Sequence, residues 1–165
     1  MRRPAAGTAA VGNGTWGVLI TTNASSNVIG GTVAGAGNVL SGKSQAGVAM
    51  SNGASGNLVQ GNLIGLNATG TGAIGNSVGV SFQLGATLNI VGGTTAETRN
   101  VISGNTADGM RIADAGTSGN QVQGNYIGTN ASGTAAIANL SNGILVQSGA
   151  SNNAIGGTAA GAGNL

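Results

Sequence analysis

The 165-residue chain has no cysteine, no histidine, one proline and three aromatic residues, and only eight residues are charged: five Lys or Arg and three Asp or Glu. Without cysteine no disulfide staples the fold. Without Cys and His, the thiol nucleophile, the commonest general base and the usual zinc ligands are missing. The net charge is only +2, and two of the five cations are Arg2 and Arg3, so the pI near 10.0 reflects few acids and not a basic face. Nucleic-acid binding, which needs clustered Lys and Arg, is not expected. Long apolar runs are absent too, since Gly, Asn, Ser or Thr interrupts each well short of the ~20 residues of a membrane span. No apolar stretch follows Met1-Arg2-Arg3-Pro4, so no secretory signal is expected there.

What is abundant is glycine: 34 residues, roughly one in five against a usual ~7%. Collagen is excluded because Gly does not fall at every third position and only one Pro is present. Disorder combines low hydrophobicity with high net charge, whereas 40% of this chain is apolar. A turn-rich ordered fold remains, of a length suited to one domain.

An internal repeat organises the chain. Thr8-Ala-Ala-Val-Gly-Asn13 returns as Thr71-Gly-Ala-Ile-Gly-Asn76 and as Thr134-Ala-Ala-Ile-Ala-Asn139, at steps of 71 − 8 = 63 and 134 − 71 = 63. Each long unit divides into two coils that open at Gly17, Gly47, Gly79, Gly109 and Gly143. The steps are 30, 32, 30 and 34, so coils of about 30 and 33 residues alternate.

Three short apolar segments follow in every coil. The first reads Gly17-Val-Leu-Ile20, Gly47-Val-Ala-Met50, Gly79-Val-Ser-Phe82, Gly109-Met-Arg-Ile112 and Gly143-Ile-Leu-Val146. Positions two and four are always apolar and position three is free, the period-two alternation of a strand with one buried face. The second segment starts at Asn27, Asn57, Asn89, Asn120 and Asn153, and the third at Asn38, Asn62, Asn100, Asn125 and Asn164.

A period near 30 with three strands is too short for a propeller blade of about 40–45 residues. It predicts an all-β fold: a single-stranded parallel β-helix, or solenoid, of about five coils with three short strands each. Equivalent strands pair in parallel ~4.8 Å apart, and the two recurrent Asn positions form side-chain ladders at the corners. Four core columns are expected, led by Val18, Ile20, Ile29 and Leu40. Long loops alternate between two edges, following segment two in the coils of Gly17, Gly79 and Gly143 and segment three in the others. Residues 1–6 read as a tail and 7–165 as the solenoid. No cap is visible at either end, which is expected of a fragment of a longer array or of a chain whose open ends stack.

The stretches Asn100-Val-Ile-Ser-Gly-Asn105 and Gln123-Gly-Asn-Tyr-Ile-Gly-Thr-Asn130, with the repeated Gly-Gly-Thr, resemble right-handed parallel β-helix repeats of large bacterial surface and secreted proteins. More distantly they are similar to the pectate-lyase-like superfamily. The resemblance implies right-handed coiling, an extracellular or cell-surface setting, and either polysaccharide lyases, hydrolases and epimerases or non-catalytic adhesins and passengers. The enzymes of that superfamily cluster Asp, Glu, Arg or Lys on one exposed sheet, often with calcium. No such cluster is matched here, so no catalytic residue, metal ligand or cofactor is carried over.

Charge concentrates in one place, Asp108-Gly-Met-Arg111-Ile-Ala-Asp114, which is the candidate ligand-binding group for a sugar acid or cation. Alternation turns Arg111 outward and leaves both Asp at the strand ends, solvated and ~20 Å apart. That exceeds the ~5–9.5 Å of glycosidase carboxyl pairs. Glu97 and Arg99 share a loop and are expected to form a surface ion pair. The Gly-rich loops lack the Lys-Ser/Thr and the helix of a phosphate loop, and the repeated Asp of a calcium β-roll is absent. No Thr row of the kind used to bind ice follows segment one, and the five glycosylation-type sequons are expected by chance among 20 Asn.

The expected role is a non-enzymatic structural or surface-interaction segment, adhesin- or passenger-like, with a polysaccharide or cell-surface glycan as partner. The alternative is the polysaccharide-binding part of a carbohydrate-active β-helix enzyme. A third is a fibre subunit that stacks end to end.

Overall fold

The structure, a computed structural model, describes Ala9 and residues 13–165. The expected tail over 1–6, the start of the solenoid at Gly7 and most of the first repeat copy (Thr8–Asn13) lie outside the described residues.

The chain is a parallel β-solenoid. Sheet 1 contains β1 (Val18–Ile20), β4 (Ala46–Met50), β7 (Val78–Phe82), β10 (Met110–Ile112) and β13 (Ile144–Val146). Sheet 2 contains β2 (Val28–Gly30), β5 (Leu58–Gln60), β8 (Ile90–Gly92), β11 (Gln121–Gln123) and β14 (Ala154–Ile155). Sheet 3 has four strands: β3 (Val39–Leu40), β6 (Leu63–Ile64), β9 (Val101–Ile102) and β12 (Tyr126–Ile127). All pairings within the three sheets are parallel, and Val18, Val48, Val80, Met110 and Ile144 align as register partners. From β1 to β13 the chain makes four turns in 144 − 18 = 126 residues, a mean of about 31.5 per turn. Among the described residues the one helical element is a 3-10 turn, Ala96–Thr98, in a loop.

The expected columns form the core. Val48, Met50, Val59, Ile64, Val80, Phe82, Val91, Ile102, Met110, Ile112 and Val122 are all fully buried. The two ends differ. Ile20 and Ile29 of the first coil are 7% and 6% exposed, whereas Val146 and Ile155 of the fifth are 42% and 49% exposed. Gly17, Gly47, Gly79 and Gly109 stand at the start of sheet 1 segments where neighbouring coils leave no room for a Cβ: one on Gly79 would run into the Gly109 carbonyl oxygen and the Ile102 side chain.

The corners are held by asparagine. Asn89 donates from its backbone N–H and from Nδ2 to Asn120 Oδ1, both at 3.0 Å. Its own Oδ1 accepts the same pair of donors from Asn57, at 3.0 and 2.9 Å, and its Nδ2 also donates to the Ala54 carbonyl at 3.1 Å. This pattern runs from Asn27 to Asn153, and again from Asn38 through Asn62, Asn100 and Asn125 to Asn164. A third ladder, beyond the two expected, links Asn76, Asn105 and Asn139, and the backbone N–H of Lys43 donates into its first member. In all three every Asn but the last donates to the Asn of the coil that follows it. No buried side-chain N or O among the described residues lacks a partner.

The chain bends into these corners through left-handed backbone, with φ of 62° at Gly56, 57° at Leu88 and 68° at Gly119, each just before a ladder Asn. Leu88 is strained there because its Cβ crowds the following carbonyl, and its side chain is 65% exposed and gains little burial in return.

Two predictions follow from the corners. Asn89→Ala strands the Asn57 N–H and deletes a link in mid-ladder, so it should lower stability by about 2–4 kcal/mol, while Asn27→Ala, at the ladder's first member, should cost about 1 kcal/mol or less. Urea denaturation of both variants checks the ordering. In the same assay Leu88→Gly should raise stability by about 1 kcal/mol by relieving the left-handed strain.

Candidate functional site

The candidate residues Asp108, Arg111 and Asp114 belong to coil four, around β10. Met110 and Ile112 point into the core, which turns Arg111 outward as expected. Asp108 is not solvated: it is 1% exposed, tucked against the strand-opening Gly109. Its Oδ2 accepts from Arg111 Nε at 2.9 Å and from Nη2 at 2.6 Å. Its Oδ1 accepts from Asn142 Nδ2 at 2.8 Å and from the Asn142 backbone N–H at 3.3 Å. The carboxylate therefore ties coil four to coil five, with both oxygens occupied.

Burial raises the Asp108 pKa, but the Asn142 side chain, Arg111 and the Asn142 backbone together outweigh it and hold the carboxyl below the ordinary Asp range. Asp114 stands apart from this cluster. It occupies the left-handed corner after β10, at φ 75°, and its Oδ2 accepts the Leu84 N–H at 3.2 Å. The structure thus joins Asp108 with Arg111 and leaves Asp114 at the corner.

Glu97 and Arg99 do not form the expected ion pair. Arg99 instead stacks over the Tyr126 ring, 4.1 Å from its centroid, and its Nε donates to the Gly124 carbonyl at 3.1 Å. A flat guanidinium gains more on an aromatic face than from an exposed carboxylate, whose attraction water screens. The Glu97 carboxyl is fully exposed and is held below its usual range chiefly by its own backbone N–H, then by the Thr95 side chain. Beside these residues the loops of coils one and three stand either side of the tight Gln60-Gly61 turn, leaving an open cleft of about 360 Å³. Gly61 is needed at its floor, since its φ is +70° and a Cβ would strike the Gly31 carbonyl.

The outer face of sheet 1 has relief of its own. Its outward column reads Leu19, Ala49, Ser81, Arg111 and Leu145, one residue per coil in register. Two small residues between Leu19 and Arg111 leave a notch about two coil spacings wide, or ~10 Å. The residues preceding the strand-opening glycines repeat the profile, with Trp16, then small Ala46 and Val78, then Asp108. The result is a hollow of about 120 Å³ over Ala49 and Ser81, bounded by Trp16, Gln45, Gln83 and Arg111. The free third position of segment one was the sequence signal for this notch. It became a shape only once the register was fixed.

Among the described residues no group of three or more His, Cys, Asp or Glu converges as a metal site would require, and no helix is long and apolar enough to cross a membrane.

The lowered Asp108 pKa sets the sign of an acid response. Its stabilisation is complete above the ordinary Asp value of about 4 and is lost as pH falls through the lower folded value. Wild-type stability should therefore drop below about pH 4, and Asp108→Ala, which removes four accepted hydrogen bonds, should cost about 2–3 kcal/mol at neutral pH and flatten that acid limb. Thermal midpoints of both proteins across the acid range check this.

Comparison with known proteins gives no relative: no family model, no curated protein and no solved structure matches the chain.

Proposed function

We propose that the chain is a non-enzymatic solenoid segment that holds its outer faces rigid for contact with an extracellular or cell-surface partner. One observation carries this reading: the buried polar side chains, Asp108 and the ladder asparagines, are spent on holding coils together. Of the three acids in the sequence, Asp108 has both oxygens bonded within the protein, Asp114 caps a corner and Glu97 sits alone on a loop. A general acid or base must reach the proton it transfers on a bound substrate, and Asp108 is buried with both oxygens bonded and Arg111 paired to it. Ten Asn-to-Asn links, four in each long ladder and two in the short one, fix the coils against one another. A continuous rod of this kind presents an extended surface, as stacked-repeat proteins do.

Incubated with pectate, alginate, xylan and β-glucan, the protein should release no new reducing ends and no unsaturated products at any enzyme-like rate. Turnover that disappears in Asp108→Asn with the fold intact would show that the chain is an enzyme.

A further inference from the structure

We propose that Asn142-Gly143 is a site of spontaneous deamidation, and that its conversion to aspartate or isoaspartate loosens coil five from coil four. The inference is independent of what the outer faces bind.

Deamidation needs an asparagine whose Cγ can be reached by the backbone nitrogen of the next residue. Glycine in that next place allows it, because no Cβ stands in the way. Three Asn-Gly pairs occur, at Asn13, Asn52 and Asn142. No ladder asparagine is followed by glycine, although one residue in five is glycine. The amides that hold the coils are thus guarded by their neighbours in sequence, with Asn142 as the exception.

The structure distinguishes the three pairs. Asn142 is exposed, the Gly143 N–H donates to no described residue, and a Cβ built on Gly143 would meet nothing closer than Ile127, at 3.7 Å. The attacking nitrogen is therefore unspent and has room to move. At Asn52 the Gly53 N–H is bound to the Leu84 carbonyl at 3.2 Å. Asn13-Gly14 is open, but Asn13 makes no hydrogen bond to another coil among the described residues, so its conversion is silent. The facing Asp108-Gly109 pair is protected, since Asp108 is buried and the Gly109 N–H donates to the Asn142 carbonyl at 2.8 Å.

In the reaction the Gly143 nitrogen loses its proton to solvent and bonds to Asn142 Cγ. The Cγ–Nδ2 bond breaks, and Nδ2 takes up a proton and leaves as ammonia. One water then opens the succinimide, at Cγ to give aspartate or at the backbone carbonyl to give isoaspartate. The hydrogen bonds from Nδ2 to Asp108 Oδ1 and Ser141 Oγ, at 2.8 and 3.0 Å, restrain the side chain, so the step is slower than in an unfolded chain.

Both products damage the same tie. Aspartate puts an oxygen where the Asn142 Nδ2 donor met Asp108, and Arg111 is the one cation facing the two carboxylates. Isoaspartate adds a carbon to the main chain and shifts the Asn142 and Gly143 carbonyls, which accept the Gly109 and Met110 N–H groups at 2.8 and 2.9 Å.

The full chain, held at mildly alkaline pH and mapped by mass spectrometry, should gain acid at position 142 several times faster than at 52. In the aged protein the Gly109 and Met110 amides should exchange hydrogen faster, with the Asn57 amide unchanged. Gly143→Ala, for which there is room, should nearly stop the reaction and keep the original exchange. Asn142→Asp should reproduce the loosened state at once. Like charge raises the pKa of one of its two facing carboxyls, so this variant should lose stability as pH rises, and adding Asp108→Asn should restore it. Circular dichroism checks its fold, and if it does not fold the aged wild type supplies the exchange readout. Equal rates at positions 142 and 52 overturn the site. Unchanged Gly109 and Met110 exchange in fully converted protein overturns the loosening.

Discussion

Every coil of this protein is held by hydrogen bonds to the coils before and after it. A strand of two to five residues has no stability of its own, and neither does a corner whose backbone N–H faces the interior. Parallel pairing at one coil's distance settles the strands. The asparagine ladders settle the corners, where the chain bends too sharply for backbone pairing to continue. Once those bonds fix the register, the rest follows: apolar columns stack, glycine is forced wherever coils come closest, and outward side chains stand in rows one coil apart.

This dependence explains why so few charges suffice. A charged corner would repeat its charge at every coil and repel itself, whereas a neutral amide both donates and accepts, so it can repeat indefinitely. The one buried carboxylate, on Asp108, is tolerated because Arg111 and Asn142 satisfy it from two sides. The side chains that neither the core nor the ladders constrain are thereby the outward ones.

The architecture was legible in the sequence because the alternation of segment one and the Asn before segments two and three are fixed in every coil. The third ladder was not. Asn76 precedes its Gly79 by three residues, while Asn105 and Asn139 precede theirs by four, and Lys43 takes the place in coil two, so spacing and identity both hide the column. Alternation presents Asp108 as a solvated strand end because it cannot see the neighbouring coil. Its register partner, Asn142, stands in the same place before Gly143, and that pairing of an acid with an amide was the available signal. Proximity along the chain pairs Arg99 with Glu97, but Tyr126, one coil on, offers the better surface. Sequence proximity misleads in a fold whose neighbours lie about thirty residues apart.

The direction of the ladders has one more consequence. In the two long ladders each interior amide turns Oδ1 toward the preceding coil and divides its two Nδ2 hydrogens, one going forward to the next Asn Oδ1 and one back to a carbonyl of the preceding coil, as Asn89 does toward Asn120 and Ala54. Each amide polarises the one it donates to, so a break in one ladder is felt by the links on both sides of it.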